Sequence, residues 1–276
     1  LERFNFLSRT TPFILNLKPS GQFLMEDFFY AGGLSTVLKE ILPLLNETIP
    51  TVTGKTLEEN LSKITVTNRE LVKTMTNPLA TEGGLAILKG SLAPDGAVIR
   101  STSASPELLT HRGKALVFEN HYDMENRIDD PNLDVAPNDV LVLRDSGPVG
   151  APGMPEWGFL PIPKKLLQKG VRDMVRLSDA RMSGTAFGTV VVHITPESAV
   201  RGPLAAVRNG DLIELDVPNR KLDILVDDLT IQGRLKENKS LASHYDRGYK
   251  WMFSQHVQQA NEGCDFDFLR ATFATK

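Results

Sequence analysis

Apolar and polar positions divide the chain into a helical opening, a strand-rich middle and a helical close. Residues 25–45 place apolar side chains at helical spacing, with Gly32-Gly33 as an interruption and Pro43 near the end. The run Thr56-Leu-Glu-Glu-Asn-Leu predicts a short helix capped by its threonine. Around Asn77-Pro-Leu-Ala-Thr-Glu-Gly-Gly84 the composition shifts to turn formers, which marks a boundary. Beyond it, short β-branched or alternating runs at 85–90, 97–100, 114–118, 139–144, 171–177 and 189–194 read as strands separated by Gly, Pro and Asp. Two helices are expected among them. One covers 162–169, opened by Pro163 and closed by Gly170; the other covers 196–208, with Thr195 as cap and Asn209-Gly210 as its end. Residues 211–217 and 222–226 predict a hairpin. From 241 to 276 the pattern returns to helix, and His244, Tyr245, Tyr249, Trp251, Met252 and Phe253 give it an aromatic face suited to core or subunit contacts. The fold class is therefore mixed α/β, with segments 1–76, 77–235 and 236–276.

The 276 residues, 41% apolar and 24% charged, have the composition of a soluble globular chain with room for one large or two modest domains. A net charge of −3 without a long basic block argues against nucleic acid or an acidic membrane as partner. No run of about 18 apolar residues offers a membrane span. The chain opens Leu1-Glu-Arg-Phe, which reads as a truncated or processed start. One cysteine, Cys264, excludes an internal disulfide and suits a reducing compartment, so the cytoplasm is expected, with an organelle as the alternative. Its neighbours Glu262, Asp265 and Asp267 are of the kind that raise a thiol's pKa.

Candidate chemistry concentrates in two polar stretches. The loop at 177–188, Leu-Ser-Asp-Ala-Arg-Met-Ser-Gly-Thr-Ala-Phe-Gly, lies between two strand-like runs and presents Ser183. Its plain alternative is a tight turn in which Ser183, Gly184 and Thr185 satisfy backbone groups. The second stretch, Asp145-Ser-Gly-Pro-Val-Gly-Ala-Pro-Gly-Met-Pro-Glu-Trp157, is dense in Pro and Gly and presents Glu156; a rigid surface loop with a solvated glutamate is its alternative. If 139–144 and 171–177 are neighbouring parallel strands joined through the helix at 162–169, both loops leave one edge of the sheet and Glu156 and Ser183 face one pocket. Arg181 could clamp a substrate carboxylate or pair with Asp179. The acidic run from His121 to Asp130 lacks calcium-loop spacing and reads as a solvated face. His193, inside a strand, reads as a hydrogen-bonded core histidine. Gly54-Lys-Thr56 lacks the first glycine of a phosphate loop, since Ile49 stands there.

Asp179, Ala180, Arg181, Ser183 and Gly184, together with Gly147-Pro-Val-Gly-Ala-Pro-Gly-Met-Pro-Glu156, resemble the two signatures of the dihydroxyacid and phosphogluconate dehydratase superfamily. Further similarity lies at Pro19-Ser-Gly-Gln-Phe-Leu-Met-Glu-Asp27, Ala31-Gly-Gly33 and His193-Ile-Thr-Pro-Glu197, covering the C-terminal part of the family's chain. The resemblance implies a swivelling β/β/α domain at 77–235, flanked by helical segments from both chain ends, with 1–76 the remainder of a cluster-binding N-terminal domain. It implies an iron–sulfur and Mg2+ dependent hydro-lyase turning a sugar acid or 2,3-dihydroxy carboxylate into a 2-keto-3-deoxy acid. Ser183 matches its C2 base and Glu156 its metal ligand, with Asp179, Arg181, Gly184 and Thr185 in support of substrate or loop. Ala180, Met182 and 185–188 look more like pentonate or hexonate dehydratases than the branched-chain enzyme, which remains the alternative along with a non-catalytic subunit for a cluster-bearing partner. The cluster cysteines and the other metal ligands lie in a region without counterpart here, so this chain alone is expected to hold no cluster and to be inactive. A homo-oligomer is expected of the complete enzyme.

Overall fold

The computed structural model describes residues 1–237 and 245–269. The chain divides into two compact units, Glu2–Gly84 and Leu85–Lys276, the latter joined by Leu1. The first unit carries α1 (Glu2–Thr10), α2 (Met25–Tyr30), α3 (Gly33–Glu40) and α4 (Leu57–Leu61). Gly32 sits between α2 and α3 at φ 104°, the left-handed conformation that interrupts the expected helix. Thr56 caps α4: its hydroxyl accepts the Glu59 N–H at 3.2 Å while the Glu59 carboxylate accepts the Thr56 N–H at 2.7 Å. Phe28, Ala31, Leu71 and Val72 form a small core in this unit.

The second unit is a closed eight-stranded barrel. Its strands are β1 (Ala86–Gly90), β2 (Ala93–Ile99), β3 (Thr110–Phe118), β4 (Val140–Leu143), β5 (Arg176–Ser178), β6 (Val190–Thr195), β7 (Leu212–Asp216) and β8 (Lys221–Ile224), in the order β1-β2-β6-β5-β4-β3-β7-β8. Around them stand α5 (His121–Arg127), α6 (Lys164–Gln168), α7 (Asp228–Glu237) and α8 (Gly248–His256). Closure leaves no free edge to aggregate. β3, β4, β5 and β6 pair in parallel, with Leu141 opposite Arg176 and Arg176 opposite Val190, as the reading of the two loops required of β4 and β5. Ala115, Val117, Val140 and Val142 point to the barrel interior, whereas Leu116, Phe118, Leu141 and Leu143 point outward under Met124, Ile128, Leu160, Ile162 and Leu166. Burial on both faces explains why β4 reads Val-Leu-Val-Leu without alternation.

Four expectations need correction. The run 121–130 is not merely a solvated face, because α5 forms there under an Asn120 cap and buries Met124 and Ile128 in the outer core. The strand at 171–177 is reduced to Arg176–Ser178, since the Asp173 carboxylate takes the N–H of Ser105 and Thr189 with a side chain rather than a ladder. The helix at 196–208 is two 3-10 turns, Ser198–Val200 and Pro203–Ala206, split at Arg201 (φ 64°) and Gly202; Pro203 could not continue an α-helix donor ladder. In the described part of the tail the one α-helix is Gly248–His256, followed by 3-10 turns at Ala260–Glu262 and Asp267–Leu269 and a bridge between Val257 and Phe266; His244 and residues 238–244 and 270–276 lie outside the described residues. The 196–202 turn is tight: the Gly202 N–H reaches the Glu197 carbonyl at 2.9 Å, and a Cβ on Gly202 would lie 1.8 Å from the Pro196 carbonyl oxygen. Gly202→Ala is expected to destabilise the fold by about 1–3 kcal/mol, the usual cost of overpacking. A urea unfolding midpoint equal to that of the unaltered chain would contradict the packing described.

Candidate active site

Because β3 to β6 run parallel, the segments that leave their C-terminal ends share one edge of the barrel. These are residues 119–120, 144–163, 179–189 and 196–202. That edge gathers residues far apart in sequence. Asp179, fully buried, accepts the Ser146 N–H at 3.0 Å and the Ser198 N–H at 2.9 Å, and accepts a hydrogen bond from the Ser198 hydroxyl as well. The Ser198 oxygen in turn accepts the Asp145 N–H at 2.7 Å. Glu197, 1% exposed, accepts the N–H groups of Val149 and Gly150, each at 2.9 Å, and the Gln259 side-chain amide at 2.7 Å. The loop after β4 therefore starts on acceptors supplied by the segments that follow β5 and β6.

Burying these acids together has an electrostatic cost. Burial, and then the neighbouring Asp179, push Asp145 up to about 6 and Glu197 up to about 7; burial also raises Asp179 itself. Asp145 further adopts φ 50°, uncommon for a residue with a side chain.

The far ends of the two loops are fastened by a different pair. Arg176, 2% exposed, donates to the carbonyls of Leu160 at 3.0 Å and Phe187 at 3.2 Å and to the Asp173 carboxylate at 2.9 Å. Leu160 closes the loop after β4, and Phe187 closes the loop after β5. Although burial works against its charge, Asp173 is held below the ordinary carboxylate range by the Thr189 backbone and hydroxyl and by Arg176. Gly188 admits the guanidinium: at φ 112°, a Cβ there would lie 1.8 Å from Arg176 Nη2.

Between these anchors the loops touch through Arg181. Its side chain donates to Glu156 Oε1 at 2.9 Å and to the Met154 carbonyl, while its own carbonyl accepts the Gly158 N–H at 2.8 Å. Arg181 thus pairs with Glu156 and not with Asp179, the second of the two partners that the sequence suggested for it. Ser183 lies two residues on and is half-buried; its oxygen receives the Thr185 N–H at 3.3 Å and lies 2.9 Å from the Thr185 hydroxyl. The Arg100 guanidinium, at the end of β2, donates to the Gly184 carbonyl. Glu156, with its side chain 48% exposed, is beside Trp157, whose ring stacks on His121 at 4.2 Å.

Two further readings change. His193 is half-buried at φ 55°, and its buried Nδ1 has no hydrogen-bond partner, so it is not the satisfied core histidine expected. Burial and Arg181 hold its imidazole below the usual range. The Cys264 thiol is raised, as expected, but by burial and Glu197 rather than by the acids adjacent to it in sequence.

Residues 70–264 match the family described as dihydroxy-acid/6-phosphogluconate dehydratase C-terminal, and residues 1–60 match its N-terminal counterpart. The chain belongs to the dihydroxy-acid/6-phosphogluconate dehydratase family. Relatives in this dehydratase family include the 6-deoxy-6-sulfo-D-gluconate dehydratase of Pseudomonas putida, 48% identical across 94% of this chain and 45% of the relative. The L-arabinonate dehydratase of Rhizobium leguminosarum bv. trifolii is 46% identical across 98% of this chain and 47% of its own length. The dihydroxy-acid dehydratase of Acetivibrio thermocellus is 38% identical across 95% of this chain and 47% of its own. The chain spans about half the length of the curated relatives it matches. The resemblance read from the two loop motifs is borne out.

Sequence reasoning missed Arg100, Asp173, Arg176, Glu197 and Gln259 as parts of this dehydratase-family edge. Glu197 stood within a quoted motif, but nothing local showed that its carboxylate reaches the loop at 147–150. Arg100 arrives through the antiparallel pairing of β2 with β6, and Gln259 from the far end of the chain. The raised acids give a signed pH test. Below pH 3.8 Asp145 is protonated folded or unfolded; between that value and about 6 the unfolded chain ionises while the fold holds the proton, so stability falls. Asp145→Asn removes this loss. Its urea midpoint is expected to gain on the unaltered chain as pH rises from about 4 to 7 and to run level above. A difference independent of pH would contradict the burial of Asp145.

Proposed function

We propose that this chain is the C-terminal portion of a hydro-lyase that dehydrates a sugar acid to a 2-keto-3-deoxy acid. The observation that carries the reading is the junction at Arg181, which ties the Glu156 loop to the Ser183 loop on one edge of parallel strands. The names of the relatives supply the substrate class: those called sulfogluconate and arabinonate dehydratase are 48% and 46% identical, whereas the dihydroxy-acid dehydratase from A. thermocellus is 38% identical.

In this mechanism Ser183 Oγ, as alkoxide, takes the proton from C2. The electron pair left behind forms the C2–C3 double bond as hydroxide leaves C3; that hydroxide takes up the proton now on Ser183, giving water and restoring the alkoxide, and the resulting enol tautomerises to the 2-keto acid. A serine oxygen is a weak base unless its negative charge is stabilised. The Thr185 N–H on that oxygen, the Thr185 hydroxyl and the nearby Arg100 and Arg181 guanidiniums favour such a charge. Arg181 is also free to exchange Glu156 for a substrate carboxylate, a bidentate partner of the kind guanidinium prefers.

Glu156 fits a magnesium ligand: its carboxylate is half-exposed and hard, and that ion commonly takes one or two protein carboxylates with water and substrate completing the shell. When bound there, magnesium would stabilise the charge that develops as C2 loses its proton. An iron–sulfur cluster does not fit the residues present. Cys264 is the one cysteine, burial raises its thiol, and among the described residues no three His, Cys, Asp or Glu gather as a metal set. No step is routed through a cluster, and the chain alone is proposed to be inactive, its remaining ligands belonging to the part of the relatives' length it does not span.

The test uses a protein joining this chain to that remaining part, assayed for 2-keto-3-deoxy acid from a panel of aldonates and from 2,3-dihydroxyisovalerate. Aldonate turnover is expected, and Ser183→Ala should lower kcat by about 10²–10⁴-fold, the scale of a lost general base. Turnover of dihydroxyisovalerate alone, or unaltered rates in the serine variant, would overturn the reading.

A further inference from the structure

The carboxylate of Glu197 lies in a cradle of uncharged donors, and among the described residues no Lys, Arg or His forms an ion pair with it. It accepts the backbone N–H groups of Val149 and Gly150 and the side-chain amide of Gln259. Gln259 answers by accepting the Glu197 backbone N–H on its side-chain oxygen at 2.8 Å, so both ends of its amide are bound to Glu197. The fit is close: a Cβ on Gly147 would lie 2.6 Å from Glu197 Oε2. Gln259 is itself fixed by a turn, its carbonyl taking the Glu262 N–H at 2.9 Å, beside the Gln258 N–H bonded to the Asp265 carbonyl at 2.8 Å.

A chain of hydrogen bonds runs from this cradle to Glu156. The Ala151 N–H bonds the Gly147 carbonyl at 2.8 Å, and the Met154 N–H bonds the Ala151 carbonyl at 2.8 Å. Met154 stands at φ 45°, and its carbonyl takes the Arg181 side chain that also holds Glu156. A buried acid in a solvent-free position, held with acceptors only toward donors, is costly unless its geometry serves something. Its most direct effect is on the loop's shape.

We propose that Glu197, locked by Gln259, is a positioning residue that sets the backbone of 147–154 and through it the placement of Glu156. The C-terminal segment thereby becomes part of the support of the site. The part of the inference that concerns metal binding rests on the reading of Glu156 as a ligand; the part that concerns the loop does not.

Hydrogen exchange by mass spectrometry on the purified chain tests the loop directly. Glu197→Gln puts an amide where Val149, Gly150 and Gln259 all offer donors, and Gln259→Glu sets two carboxylates together. Each is expected to speed exchange in the peptide holding Val149 and Gly150 by about tenfold, the scale of a broken coupling between neighbours. The double swap Glu197→Gln with Gln259→Glu restores complementary partners and is expected to return exchange toward the original rate. Gln259→Ala, which buries no new charge, should speed the same peptide if the other singles do not fold. Unaltered exchange in the single variants, or losses that add in the double swap, would overturn the proposal. In the protein assayed for dehydration, Glu197→Gln should raise the magnesium needed for half-maximal activity by about 10–100-fold with little change in substrate KM. Loosening and rescue without any dehydration would count against the hydro-lyase reading alone, whereas dehydration with an unmoved loop would count against the positioning role alone.

Discussion

A guanidinium with 2% of its surface exposed, paired with an equally buried carboxylate, is the constraint on which this edge of the barrel depends. Arg176 lies on β5, the shortest strand, and spends its donors on the carbonyls at the ends of two different loops as well as on Asp173. Removing one member of such a pair strands the other without a partner, at a typical cost of about 3–5 kcal/mol. The interaction is poor value as stability, because apolar residues of similar size often do as well. What it provides is direction. Its planar fork of donors fixes two backbone segments relative to each other in a way that a packed leucine could not.

The opposite ends of the same loops are held by acids instead of a base. Asp179 and Glu197 receive the N–H groups of Ser146, Val149 and Gly150, and Ser198, itself bonded to Asp179, receives that of Asp145. Each donor consumed inward leaves the loop's other face to Glu156. Burial, joined for Asp145 and Glu197 by the charge of Asp179, lifts these carboxyls above their ordinary range, and the hydrogen-bond donors only partly offset it. Sites commonly concentrate such costs where shape matters more than stability.

Much of the scaffold was legible because strands β3, β4 and β6 are continuous or alternating apolar runs bounded by turn formers, and their parallel neighbours follow from a single crossover helix. Ser183 and Glu156 were legible for another reason: each lies in a long motif. The braces were not. Arg176 reads in sequence as the polar position of a strand, and only the pairing with β4 and β6 shows that both its faces are covered. The helix expected at 196–208 failed on an internal Pro203 and a Gly202 whose close approach to Pro196 no local pattern reveals. Gln259 lay in a tail whose helical pattern ended sooner than its apolar content implied.

The central claim is that the loops after β4 and β5 behave as one braced unit with Arg176 as a shared anchor. Hydrogen exchange on Arg176→Gln tests it most directly. Residues 145–161 and 179–189 should lose protection together and to similar extents, while β1 and β2 keep theirs. Loosening of one loop with the other unaffected would contradict the account.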